Sequence, residues 1–391
     1  MKFDVRHISL IVVLVIMFGG GTIRASETVP PWEMQSPSPA IRDYLAKVDA
    51  ADAIADPLQR CLAFPDLPDN HWPIGLAQAE CHYIYDPIHV TLDVIEDHLH
   101  RGAYASLDAI FAADLKSHFS KKHFSEEIHR DFGAIQADDR SGRLTQLWLD
   151  ADPDSPFALS ARASYLRKMG QKARGSDWAS DTPDANMQNM HDFFDKSALL
   201  YQKALRIEPR LMPAYVGLIV IGSFDSRQEL RAQAFKAAQR IDPACDSIIN
   251  YEMDARRPRW GGSYEQMQQL EAAITPFLKR RPLLGLYIGS TLADQGEMLC
   301  SNKQYAQAEL ALSKIPPLTT NTTPYHCLAY SMLSQGTHAI PWKNIMYVIA
   351  ASRFDFDDKD ENLTRGKILN MFGRPDMAQK YLQRGNAASQ K

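Results

Sequence analysis

Twelve consecutive residues, His118 to His129 (HFSKKHFSEEIH), hold His118, His123, Glu126, Glu127 and His129. Imidazole and carboxylate groups ligate divalent transition metals, and a spacing of three or four residues brings them to one face of a helix. His123 and Glu127 are four apart, and Glu126 is three from both His123 and His129, so these four residues can chelate an ion. An ion held there would activate water, so the chemistry suggested is metal-assisted hydrolysis. Against this, the order His-Glu-x-x-His is absent, and Lys121 and Lys122 sit within the segment, which makes a solvated charged face the plainer reading. His98 and His100 are two apart, hence splayed by about 200° on a helix, and cannot share an ion unaided.

Two other segments carry groups suited to recognition. Arg174, Asp177 and Trp178 fall in a polar, glycine-containing stretch between two expected helices. There, a guanidinium beside an indole can hold an anionic or aromatic group of a partner, or simply cap a helix pair. In Arg257-Pro258-Arg259-Trp260-Gly261-Gly262-Ser263 the glycines end one helix, and Ser263 with Gln266 forms a capping box for the next. The same loop presents Arg259 and Trp260, residue types common as interface anchors. Outside these segments the chain has no Gly-x-Ser-x-Gly elbow, no phosphate-cradling loop and no dinucleotide fingerprint, so no cofactor is expected.

The elements that must position these groups are read from composition and periodicity. Of 391 residues 45% are hydrophobic and 23% charged, an ordinary globular balance, and 43 basic against 47 acidic residues give −4. Without a basic excess, nucleic acid is not an expected partner. Lys2 and Arg6 precede an apolar run from Ile8 to Phe18, followed by small residues up to Ala25. This is the pattern of a signal peptide over 1–25, and it predicts a secreted, periplasmic protein with no stable membrane insertion once the signal is removed. Residues 26–39 read as a Pro/Ser-rich tether. In an oxidising compartment the five cysteines allow two bridges and one thiol. Cys61/Cys81 and Cys300/Cys327 are the pairs nearest in sequence, and buried free thiols are the other reading.

Apolar residues recur at helical spacing, as in Leu92, Ile95, Leu99 and in Leu107, Phe111, Leu115, and alternating strand patterns are absent. Ser38-Pro39, Ser155-Pro156 and Thr182-Pro183 look like helix starts, a capping residue followed by proline at the first helical position. The fold class expected is all-α, with an N-terminal helical region over 40–150 and a repeat domain over 151–391. Tyr201, Ala204 and Pro209 recur as Phe235, Ala238 and Pro243, each 34 residues on. That order and period resemble the tetratricopeptide repeat. NKQYAQAE (Tyr305, Ala308), GRPDMAQKYL (Gly373, Ala378) and, more loosely, RGAYASLD (Gly102, Tyr104, Leu107) follow the same pattern. From about Asp93 onward, the order GAYASLDAIF, SPFALSARASYLRKMGQKARGSDWAS, KALRIEPRLMPAY and RRPRWGGSYEQM resembles the bacterial domain of unknown function 4034. That resemblance implies a helical, repeat-like fold and no particular activity.

Together these features suggest a helix-pair solenoid that binds another protein or peptide, as an adaptor or as an immunity protein that neutralises a toxin. Metal-assisted hydrolysis through His123, Glu126, Glu127 and His129 is the alternative, and a purely structural or small-ligand-binding role is the third.

Overall fold

The computed structural model describes residues 37–120, 126–177, 180–335 and 342–387. The signal segment and most of the tether therefore lie outside the described residues. Within them the chain is all-α: nineteen α-helices, a few short 3-10 turns and no strand.

Helices α1 (Pro39–Asp52), α2 (Pro57–Ala63) and α3 (Leu76–Tyr85) open the chain. They are followed by α4 (Leu92–His100), α5 (Tyr104–His118), α6 (Glu127–Gly133) and α7 (Asp139–Ala151). Next come α8 (Pro156–Arg174), α9 (Asp184–Ile207), α10 (Met212–Phe224), α11 (Gln228–Ile241) and α12 (Asp246–Ala255). The remainder comprises α13 (Tyr264–Ile274), α14 (Ser290–Ser301), α15 (Tyr305–Leu312), α16 (Tyr325–Ser334), α17 (Trp342–Ala350), α18 (Lys359–Met371) and α19 (Pro375–Ala387). Neighbours in sequence pack on each other, most extensively α8 with α9, α18 with α19, α10 with α11, and α14 with α15.

Local chemistry sets the boundaries. Ser38, Ser155 and Ser263 each accept a hydrogen bond from the amide three residues on, which starts α1, α8 and α13. At Thr182-Pro183 the helix begins one residue later than the capping pattern predicts: α9 starts at Asp184, Pro183 flanks it, and no side chain caps it.

Two turn types recur. In the α4–α5, α14–α15 and α18–α19 turns, Gly102, Lys303 and Gly373 take left-handed φ values of 66°, 60° and 73°. The following amide in each case donates 2.8 Å back across the helix end: Ala103 to His98 O, Gln304 to Leu299 O, and Arg374 to Leu369 O. This is the six-to-one bond of a Schellman cap, which satisfies carbonyls the helix end leaves open. Five residues past the left-handed position, Leu107, Ala308 and Ala378 are fully buried.

The second turn type joins α7 to α8, α9 to α10 and α11 to α12 through Asp152-Pro153, Glu208-Pro209 and Asp242-Pro243. In each, the residue before proline donates its amide to the helix it ends, from Asp152 to Trp148 O, Glu208 to Ala204 O and Asp242 to Ala238 O. The residue after the turn, Ser155, Leu211 or Cys245, then opens the next helix.

One apolar core runs from Val90 to Ile248. Helix α10 lies at its centre and is buried from Met212 through Gly222, as its unbroken apolar sequence requires. Phe111 packs against Phe132, Trp148 and Phe157 with ring centroids 5.1, 5.1 and 5.8 Å away, tying α5, α6, α7 and α8 together. Cys61 is bonded to Cys81 between α2 and α3, and Cys300 to Cys327 between α14 and α16, while Cys245 is a buried thiol.

Candidate functional site

Of the His118–His129 stretch, His118, Glu126 and His129 do not lie on a solvated face. His118 ends α5 and is fully buried, and Glu126, immediately before α6, is 4% exposed. The end of α5 and the start of α6 meet the α11–α12 turn, where His118, Glu126 and His129 are enclosed with the groups of the turn. His118 Nε2 lies 3.1 Å from Asp242 Oδ2. His118 Nδ1 and His129 Nε2 approach Glu126 Oε2 to 3.6 and 3.4 Å. Cys245 Sγ lies 3.5 Å from His129 Nε2, and the Asp246 amide donates to Glu126 Oε1 over 3.3 Å.

Asp242 is the charged pivot. Its Oδ1 accepts from the Ala244 amide at 3.0 Å and from Arg280 at 3.2 Å, and its Oδ2 accepts from Arg281 at 3.1 Å. Arg281 also donates to the His118 carbonyl at 2.9 Å, which fixes the end of α5. Burial pushes the Asp242 carboxyl upward, but the His118 hydrogen bond and the Arg281 charge outweigh it and hold the group below its usual range. The other groups follow burial. Desolvation lowers His118 and, more strongly, His129, and raises the Glu126 carboxyl and the Cys245 thiol well above their ordinary values. Asp242 and Arg281 are thus the ion pair of the pocket, with the two imidazoles, the Glu126 carboxyl and the Cys245 thiol around it.

Glu127 lies on the other side of α6 and does not join this group. It pairs with Arg130 at 2.7 Å and faces His89 at 3.6 Å. His89 in turn meets Asp114 at 2.9 Å. Asp131 completes that second, half-open cluster, its carboxyl pushed up to about 9 by burial and by the adjacent Asp114. His123 lies outside the described residues. Of the four ligands suggested by spacing, the structure therefore unites Glu126 and His129, and adds His118, Asp242 and Cys245.

The described recognition residues lie on two elements, the end of α8 and the 3-10 turn after α12. Arg174, at the end of α8, donates to the Gly175 carbonyl at 3.3 Å, and Trp178 lies outside the described residues. Arg259 and Arg257 both converge on the buried Asp294 in α14, Arg257 at 3.0 Å. Trp260 next to them is 47% exposed on a 3-10 turn closed by Gly261 at φ 86°. Among the described residues, no hydrogen bond or ion pair joins Arg174 to that turn.

Two open surface grooves lie apart from the residues of these sites. One, of about 650 Å³, runs between α7 and α8 and is lined by Asp139, Leu147, Asp150, Arg162 and Tyr165. The other, of about 440 Å³, lies between α9 and α11 and is lined by Asp195, Leu199, Gln202, Arg227 and Leu230. Leu199 is 67% exposed there.

The chain matches no protein-family model and no curated protein.

Proposed function

We propose that this chain is an exported helical-repeat protein that works by binding another protein or peptide, as an envelope adaptor or a toxin-neutralising immunity protein. The observation that carries the reading is the recurrence of two turn types: the Schellman turns at Gly102, Lys303 and Gly373, and the proline turns at Asp242 and its counterparts. Recurring turns support stacked, tetratricopeptide-like helix pairs of the kind the 4034-family resemblance implies. Such stacks bury a shared core and leave grooves between helices for a partner segment. The grooves beside Leu147 and Leu199 offer apolar contact with Asp and Arg at their rims. The two disulfides favour an oxidising compartment, and no described helix is long and apolar enough to cross a membrane. Hydrolysis by a bound ion requires a coordination position open to substrate. The enclosure of His118, Glu126 and Cys245 gives that alternative little support.

A photo-crosslinking residue placed at Leu199 or Leu147, compared with one at the exposed Met371, tests the reading in envelope extracts. One partner captured from the groove positions, and lost with Leu199→Asp at unchanged melting temperature, is the expected result. Equal, unspecific capture from all three positions would defeat it.

A further inference from the structure

We infer that His118, Glu126, His129 and Cys245 form a tetrahedral site for one zinc-class divalent ion, which ties the end of α5 and the start of α6 to the α11–α12 turn. The inference is independent of any partner.

Four arguments meet at this place. The first is metric. Zinc takes nitrogen and oxygen donors at about 2.0–2.1 Å and thiolate at about 2.3 Å, so tetrahedral donor–donor edges are about 3.3–3.6 Å. The three edges Nδ1(118)–Oε2(126), Oε2(126)–Nε2(129) and Nε2(129)–Sγ(245) measure 3.6, 3.4 and 3.5 Å. One donor atom from each of the four residues lies within 4.8 Å of all the others.

The second is the outer shell. A metal-bound imidazole characteristically gives its other nitrogen to a carboxylate, which fixes tautomer and ring orientation. His118 does this with Asp242 at 3.1 Å, leaving Nδ1 turned toward Glu126. The third is an unmet acceptor. Glu126 Oε2 is buried and accepts no hydrogen bond of normal geometry among the described residues, although both imidazoles face it. A cation between the two imidazoles and this oxygen would satisfy it.

The fourth is charge. Bound as a carboxylate and a thiolate, Glu126 and Cys245 would neutralise a dication. The Arg281 charge is already directed at Asp242. Cys245 also immediately precedes α12, where the first-turn amides favour a thiolate. A donor set of two imidazoles, a carboxylate and a thiolate selects zinc or cobalt over magnesium or calcium. With all four positions filled by protein, the ion would be structural.

Metal analysis of the purified, disulfide-intact protein after dialysis against zinc should give one ion per chain. Cobalt exchanged into the site should show a sulfur-to-cobalt charge-transfer band. Cys245→Ser should lose the band and fall to roughly a tenth of the wild-type content or less, and Asp242→Asn, changing only the outer shell, should bind about 10–100-fold more weakly. His89→Ala, in the neighbouring cluster, should leave content and band unchanged. Should Cys245→Ser fail to fold, X-ray absorption of the wild-type zinc form decides, with one sulfur and three nitrogen or oxygen neighbours expected. Substoichiometric metal after dialysis, or bound cobalt without sulfur, would overturn the assignment.

Discussion

Replacing Gly296 by alanine tests the helix pairing directly, because two effects of opposite sign compete. Gly296 sits inside α14 against α15, and a Cβ there would lie 2.3 Å from Leu312 Cδ2 and 2.5 Å from its Cγ. Ordinary carbon contacts are about 3.5–4.0 Å, so one of the two must move by more than about 1 Å. Leu312 is fully buried and has no solvent to swing into. Overpacking of this kind costs about 1–3 kcal/mol, whereas alanine gains about 1 kcal/mol over glycine in a helix interior. The expected net effect of Gly296→Ala is a loss of up to about 2 kcal/mol. Leu312→Ala alone should cost about 2–5 kcal/mol, and the double variant should be less damaged than the sum by the relieved overpacking, about 1–3 kcal/mol. Urea unfolding with disulfides intact and m-values compared measures all three. A Gly296→Ala protein about 1 kcal/mol more stable than the wild type, the helix gain with nothing opposing it, would refute the close packing of α14 on α15.

Other outcomes follow from groups already described. Lys168 donates to the carbonyls of Gly133 and Ile135, and burial, reinforced by the Arg167 charge, draws its pKa down to about 7. From about pH 7 to 10.5 the unfolded chain holds the extra proton, so this group's contribution to stability rises with pH over that window and is lost as pH falls through 7. Its slope is at most about 1.4 kcal/mol per pH unit, and denaturant titrations across the window should show Lys168→Met flattening it. Equal slopes in both proteins would count against the shift. Asp294→Ala removes the buried carboxylate that two guanidinium groups share, leaving Arg257 with Asp254 and both facing Glu297, and should cost about 1.5–3 kcal/mol, whereas Trp260→Phe, at a half-exposed ring, should stay within about 0.5 kcal/mol. Chemical unfolding distinguishes the two, and similar losses would mean that Trp260 packs more tightly than the structure places it. Cys61→Ala/Cys81→Ala opens a bridge between residues 20 apart and should cost about 3 kcal/mol by loop entropy, read from thermal or urea unfolding.

What the amino-acid order reveals here is what is decided locally. Ser38, Ser155 and Ser263 cap their helices through a bond to an amide three residues away, so the signal and its cause lie in one short window. Gly102 and Gly373 announce their turns because glycine takes positive φ without strain. Lys303 makes the same turn without that mark, and only the neighbouring Tyr305 and Ala308 betray it. The buried polar site is a different case. Its contacts join His129 to Cys245 across 116 residues, His118 to Asp242 across 124, and Arg281 to His118 across 163. From spacing alone, Asp242-Pro243 reads as a helix stop and Cys245 as a spare thiol, because nothing local says that α5 ends against them. Glu127 was grouped with Glu126 for the opposite reason: adjacency in sequence puts neighbours on different sides of a short helix.

Cys245 has a consequence for how the molecule behaves toward oxidants. It lies in sequence between the two bridged pairs, so four other sulfurs compete for it while the chain is unfolded. Once the α11–α12 turn closes over it, the thiol is out of reach of disulfide exchange, and the finished bridges cannot be reshuffled through it. Alkylation of this single sulfur in the native protein can then proceed no faster than the turn opens, which makes Cys245 a built-in clock for local breathing of the structure.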